Sequence, residues 1–245
     1  MTTCLIGLGG NVGNVPQTIV DALQALARTP GASLSRWSSF SRTAPVGPDA
    51  GGEFINAAAV LETTLSAREL LGRMMAIETD FGRERTTPWG PRTLDLDLLF
   101  YGNEVIDELP DLHIPHLGCW YRRFVLDPLF ELMPSFVHPE KRVSISDLRD
   151  RLLVRPLRVE VLDLARSAEP LLRTLPTQFP EVYLRSIRQP SEFSDDDQGL
   201  VVRLDSGPLP PWAAPLKKRV GWLDVSNRLG DRRQKLINVL HSAGL

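Results

Sequence analysis

The sequence predicts an α+β protein. Residues 1–160 form a ferredoxin-like βαββαβ sandwich with an antiparallel sheet and extra C-terminal helices, and residues 165–245 form a small α+β appendage. Three observations carry this expectation. Apolar patterns of strand and helix period succeed one another in the order β, α, β, β, α, β. A capping box opens the second helix, and the strand after it alternates leucine with aspartate. Beyond residue 160 prolines become frequent, at 170, 176, 180, 190, 208, 210, 211 and 215, with an acidic run at Asp195, Asp196 and Asp197. In a βαββαβ order both helices cover one face of the sheet, which leaves the other face free for a site.

The elements follow in turn. The apolar run 4–8 ends in Gly7-Leu8-Gly9-Gly10-Asn11-Val12-Gly13-Asn14, a first strand and a turn. Pro16 suits a first helical turn, Ile19, Ala22, Leu23 and Leu26 recur at helical spacing, and Pro30-Gly31 stops the pattern. Residues 33–43 and 54–63 read as two strands around a Pro/Gly loop, 44–52, that is a candidate lid. Ser66-Ala67-Arg68-Glu69 has the form of a capping box, and Ala67, Leu70, Leu71, Met74, Ile77 and Phe81 share one face of the helix it opens. After Gly82 comes an Arg-rich loop, then a fourth strand over 94–101. Short helices are expected over 124–133 and 144–153, strands over 181–187, 199–204 and 219–225, and a terminal helix over 231–241.

Composition narrows the function. The chain has 245 residues, 42% hydrophobic and 24% charged, within the range of globular proteins. A formal net charge of -2 argues against nucleic acid or an anionic membrane as partner, so a small ligand is the default. No apolar stretch approaches the roughly 20 residues that cross a bilayer, and the N-terminus lacks a secretory pattern, so the expected location is cytoplasmic. Cys4 and Cys119 have no CxxC spacing and read as reduced thiols. Residues 1–164 carry 16 basic and 21 acidic side chains, and residues 165–245 carry 12 and 9. Only four lysines stand against 24 arginines, and none precedes Lys141. An anion bound in the first 140 residues is therefore held by arginine or backbone, and the guanidinium fork suits phosphate oxygens.

The strongest chemical signal is Trp89-Gly90-Pro91-Arg92-Thr93-Leu94-Asp95-Leu96-Asp97-Leu98-Leu99. Carboxylates at i and i+2 of a strand share one face, with Cα atoms roughly 6.5 Å apart, while Leu94, Leu96 and Leu98 enter the core on the other. Such a pair suits Mg²⁺, which is held by one or two carboxylates together with substrate phosphates, and two such ions can clamp a phosphoryl group. Arg83, Arg85 and Arg92 lie at the edge of this pair, where they would neutralise charge that redistributes during transfer. The glycine-rich turn makes a weak dinucleotide site, because Val12 stands where a third glycine is needed. No G-K-[ST] occurs in the chain, which excludes a Walker A loop. His113 and His116 are spaced H-x-x-H, which by itself makes a poor zinc site.

Taken together, Gly7 to Gly13, Arg42-Thr43-Ala44-Pro45, Phe54-Ile55-Asn56-Ala57, Glu78 with Gly82-Arg83, the segment from Trp89 to Asp97, Ile114-Pro115-His116 and Arg122-Arg123-Phe124 closely resemble the 6-hydroxymethyl-7,8-dihydropterin pyrophosphokinases. The resemblance covers roughly residues 1–158. It implies transfer of the β,γ-pyrophosphate of ATP to the hydroxymethyl oxygen of the dihydropterin, in folate biosynthesis. It also implies that Asp95 and Asp97 are ligands of two Mg²⁺ ions, and that Arg83 and Arg92 hold the triphosphate and assist transfer. Glu78, Arg85, Trp89, His116 and Arg122 match ATP-contacting positions. Phe54 and Phe124 would sandwich the pterin ring, Asn56 would bond its edge, and Thr43 and Val46 would meet it through backbone groups. The chain departs from the family's usual residues at Gly10, where serine is common, and at Phe54 and Leu117, where tyrosine is.

Two other readings compete. A ferredoxin-like sheet can bind RNA by stacking bases on aromatic strands, but the net acidic first 164 residues and the absence of an aromatic-rich strand argue against it. A catalytically dead pterin binder is opposed by the presence of Asp95, Asp97, Arg83 and Arg92 together. For residues 165–245, the strand-rich pattern and basic terminal helix suggest an oligomerisation or docking module.

Overall fold

The structure, a computed structural model, describes residues 1–46, 51–83, 90–108, 111–164, 168–192, 199–204, 207–226 and 232–245. It divides into two compact units, Met1–Arg149 and Asp150–Leu245.

In the first unit the chain runs β1 (Thr2–Gly10), α1 (Val15–Ala27), β2 (Ala32–Trp37), β3 (Ser41–Thr43), β4 (Phe54–Thr63), α2 (Ala67–Asp80), β5 (Asp95–Tyr101), β6 (Ile106–Glu108), β7 (Leu112–Ile114) and α3 (Arg123–Leu132). A further helix, α4 (Ile145–Arg151), spans the boundary. The main sheet has the order β2-β4-β1-β5, its pairs all antiparallel, and β3 adds to the same edge of β4 as β2. Alternation decides which side is apolar. Cys4, Ile6 and Leu8 of β1, Ala57, Ala59 and Leu61 of β4, and Leu96 and Leu98 of β5 pack with Ile19, Leu23 and Leu26 of α1 and Leu70, Met74 and Ile77 of α2. Helix α2 begins at the expected capping box, with Ser66 accepting from the Glu69 amide and Glu69 accepting from the Ser66 amide.

The expected strand over 33–43 is broken. Ser38 accepts the Ala58 amide on its side-chain Oγ (2.9 Å), and the Ser39 amide turns to Glu131 of α3 (2.9 Å). The Ser38 amide still donates to the Ala58 carbonyl at 2.9 Å, but the return bond goes to a side chain, so β2 and β3 are separate strands.

The second unit contains β8 (Leu157–Leu162), α5 (Glu169–Gln178), β9 (Val182–Ile187), β10 (Leu200–Arg203), a 3-10 stretch (Pro211–Lys218), β11 (Trp222–Asp224) and α6 (Arg232–Ser242). Its sheet has the order β11-β10-β8-β9 and is parallel throughout. This corrects the expectation in three places. The boundary lies at 149/150 rather than near 160, because β8 pairs with β9 and β10. The unit is a parallel sheet alternating with helices. Helix α5 had been hidden by its prolines: Pro170 occupies the first turn, where a missing N–H costs nothing, and Pro176 lies within the helix. Val159, Val161 and Val202 are fully or almost fully buried on one face of this sheet, while Arg158 and its partner Tyr183 on the other are exposed.

Among the described residues, no helix is long and apolar enough to cross a membrane.

Candidate active site

The face of the main sheet opposite α1 and α2 carries the site, and strand register builds its floor. Gly7 of β1 lies between Asp97 of β5 and Ala58 of β4, and Gly9 lies between Asp95 and Asn56. Glycine leaves this strip bare, so the flanking side chains meet across it. At Gly9 the fit is close, because a Cβ there would come within 2.8 Å of Asn56 Oδ1. Above the strip is a cavity of about 400 Å³.

Asp95 and Asp97 both line this cavity. Arg83 Nη1 lies 2.5 Å from one Asp95 oxygen and Arg92 Nη1 lies 3.0 Å from the other. Burial and the neighbouring Asp97 carboxylate push the Asp95 pKa above its ordinary value, although Arg92 and Arg83 oppose them. Two carboxylates facing one cavity, with the ionised form of Asp95 disfavoured, are a donor set that a hard divalent cation would relieve. Among the described residues no third His, Cys, Asp or Glu joins them, so the remaining ligands would be substrate oxygens and water, as Mg²⁺ accepts. His116 Nε2 is 3.9 Å from Asp97 Oδ1.

Glu78 stands apart from the cavity lining. It is 2% exposed, accepts the Leu96 amide at 2.7 Å and pairs with Arg83. The carboxylate is thus a bracket beneath the site, tying α2 to β5 and to Arg83.

The aromatic side of the cavity is built from the start of β4 and the start of α3. Phe54 and Phe124 line it, each with a guanidinium over its ring, Arg92 at 5.3 Å and Arg122 at 5.6 Å. Asn56 donates through Nδ2 to Thr43 Oγ1 at 2.9 Å, which orients its amide. Thr43, Val46, Asn56, His116 and Arg122 complete the expected set at the cavity wall. Arg85 and Trp89 lie outside the described residues, as do 47–50 of the candidate lid and 84–89 of the Arg-rich loop.

Sequence reasoning quoted Asn11 within a motif but gave it no task. Its Oδ1 accepts the Arg92 amide at 2.9 Å, its Nδ2 donates to the Gly52 carbonyl at 3.1 Å, and its own amide donates to the Arg92 carbonyl at 2.9 Å. It joins the ends of two loop segments that are 40 residues apart, a role no local pattern reveals.

A family model described as 7,8-dihydro-6-hydroxymethylpterin-pyrophosphokinase matches residues 5–134. The chain belongs to this family. A curated relative from Synechocystis sp., named 2-amino-4-hydroxy-6-hydroxymethyldihydropteridine pyrophosphokinase, is 42% identical over 148 residues, 60% of this chain and 75% of its own length. A relative of the same name from Haemophilus influenzae is 40% identical over 143 residues, 58% of this chain and 89% of its own. Among solved structures, a Plasmodium falciparum HPPK-DHPS triple mutant with STZ-DHP aligns with TM-score 0.51 at 12% identity, a likeness of fold alone. It covers 86% of this chain and 57% of that longer one. All the cavity-lining residues fall within the span matched by the pyrophosphokinase family, and the second unit falls outside it.

Proposed function

We propose that the chain transfers pyrophosphate from ATP to the hydroxymethyl group of 6-hydroxymethyl-7,8-dihydropterin, releasing AMP and the pterin diphosphate for folate biosynthesis. The observation that carries this reading is the meeting, in one cavity, of the Asp95 and Asp97 carboxylates, two arginines on Asp95 and the Phe54 and Phe124 rings. The order β2-β4-β1-β5, with both helices on one face, supports a ferredoxin-like sandwich as the scaffold.

In this reading the pterin lies between Phe54 and Phe124, with Asn56 bonding its edge and Thr43 and Val46 meeting it through backbone groups. The hydroxymethyl oxygen attacks Pβ of ATP, the bond from Pβ to the oxygen bridging to Pα breaks, AMP leaves with that oxygen, and the hydroxyl proton passes to solvent. Asp95 and Asp97 would hold two Mg²⁺ ions, which when bound offset charge on the phosphate oxygens. Arg83 and Arg92 orient the triphosphate and follow its charge during transfer, the main protein contribution to phosphoryl chemistry. Arg85, Trp89, His116 and Arg122 bind the nucleotide, while Glu78 acts by holding Arg83.

The test is AMP formation from ATP, Mg²⁺ and the dihydropterin, with Asp97→Ala in parallel. Pterin-dependent AMP that disappears in the variant is expected. ADP in its place, or no turnover by the wild type, would overturn the reading.

We assign residues 165–245 to self-association or docking. The support is that the second unit has a core of its own, around Leu162, Ile187, Val201, Leu216 and Trp222, and that none of its described residues lines the cavity. A chain ending just before β8 is expected to keep its turnover and lose solution mass beyond the deleted residues. Loss of only the deleted mass would end this assignment.

A further inference from the structure

We infer that Gly118 is a positioning residue for the nucleotide side of the cavity, setting His116 through its backbone amide and Arg122 through its lack of a side chain. The inference rests on the function proposed above and deepens it.

Two independent contacts meet at this glycine. Its amide donates to His116 Nδ1 at 3.2 Å. A ring nitrogen that accepts a hydrogen bond carries no proton, so the neutral imidazole has its proton on Nε2, the nitrogen facing Asp97. The His116 amide is itself bonded to the Leu99 carbonyl at 2.9 Å, so backbone and ring are both anchored.

The second contact is with Arg122. A Cβ at position 118 would lie 2.5 Å from Arg122 Nε, 2.6 Å from Cζ and 2.8 Å from Cδ. The arginine therefore lies flat across the Gly118 α-carbon. From there its guanidinium covers the rings of Tyr121 and Phe124 and reaches the cavity wall. Gly118 is not in the left-handed region, so alanine is allowed there by its backbone, and the three atoms nearest to a Cβ all belong to Arg122. A substitution at 118 thus reports on the placement of Arg122 and not on backbone strain.

The test is a cycle of Gly118→Ala, Arg122→Ala and the double variant in the full chain, with AMP formation measured against ATP and against the dihydropterin. Gly118→Ala is expected to lower kcat/KM for ATP about tenfold or more, since small misplacements of a binding group cost one to two orders of magnitude. In the Arg122→Ala background the same change should matter less than about twofold, because the group it displaces is gone. Wild-type kinetics in Gly118→Ala, or losses that simply add, would overturn the inference. Ring ¹⁵N shifts of His116 in the unaltered chain supply a readout that needs no variant: the Nε2–H tautomer is expected, and Nδ1–H would overturn the inference. If the wild type forms no AMP, the functional reading falls, and ATP binding by the same four proteins then decides the inference by the same cycle.

Discussion

The Leu96 amide donates to the Glu78 carboxylate across 2.7 Å, and the same carboxylate oxygen pairs with Arg83. One buried acid on α2 therefore holds both the strand that carries Asp95 and Asp97 and an arginine that reaches Asp95. Truncating one partner of a buried pair leaves the other charge uncompensated. Glu78→Ala is expected to lower stability by about 3 kcal/mol and turnover at least about tenfold. Glu78→Gln keeps an acceptor for Leu96, so it should recover much of the stability but not the turnover. Urea unfolding and AMP formation on both variants check this.

Asp95 should show the opposing demands of stability and catalysis. Its folded-state pKa is raised above the unfolded value, by burial first and Asp97 second. The stability that its protonated form supplies is complete below the unfolded pKa and is lost as pH rises through the folded one. Asparagine imitates the neutral acid at every pH. Asp95→Asn is therefore expected to raise the melting temperature at pH 7 in Mg²⁺-free buffer, to lose that advantage near pH 3.5, and to lower turnover by about 10²-fold or more. Thermal unfolding at the two pH values and an AMP assay are the measurements.

His138 predicts an acid-sensitive first unit. It is 1% exposed, and its Nδ1 accepts the amides of Glu140 at 3.3 Å and Lys141 at 3.2 Å, while Cys119 Sγ lies 3.6 Å from Nε2. Burial first, and then Lys141, push its pKa down to about 4 from 6.5. The unfolded chain takes up a proton below about 6.5 that the folded one refuses until about 4, so stability is full above this window and falls through it. The loss should reach about 3 kcal/mol by pH 4. His138→Asn, whose amide oxygen can accept the same two amides, should flatten that acid limb in urea unfolding at pH 7, 5.5 and 4.5.

Gly10 is set by a close approach. A Cβ there would meet the Thr93 carbonyl oxygen at 2.5 Å and Val15 Cγ1 at 3.2 Å. Gly10→Ala should cost about 1–3 kcal/mol by overpacking. Turnover should fall with it, because the displaced segment includes Arg92, whose carbonyl accepts the amides of Asn11 and Val12. Denaturant titration and AMP formation test both effects.

Much of the first unit was legible because its signals are local. The capping box at Ser66 and Glu69, the helical stripe of α1 and the alternation from Leu94 to Leu98 each depend on neighbours within a few residues. The gap between β2 and β3 was not legible, because it depends on Ser38 meeting Ala58 and on Ser39 meeting Glu131. In the second unit, Pro170 and Pro176 masked α5, and although Leu157, Val159 and Val161 alternate with Arg158 and Glu160 in β8, no local pattern reveals that β9 and β10 pair with it in parallel.

By itself the sequence determined which residues have the chemistry, that Asp95 and Asp97 share a strand face, and, through its resemblance to a family, how they are used. The tertiary structure decided that Gly7 and Gly9 form a bare floor between those carboxylates and β4, and that Glu78 works beneath the cavity. It also decided that the second unit pairs its strands in parallel. The physical reason is one of range. Side-chain direction along one strand or helix follows from backbone geometry over a few residues, whereas register and edge pairing depend on which distant segments meet, as when Asn11 meets Arg92.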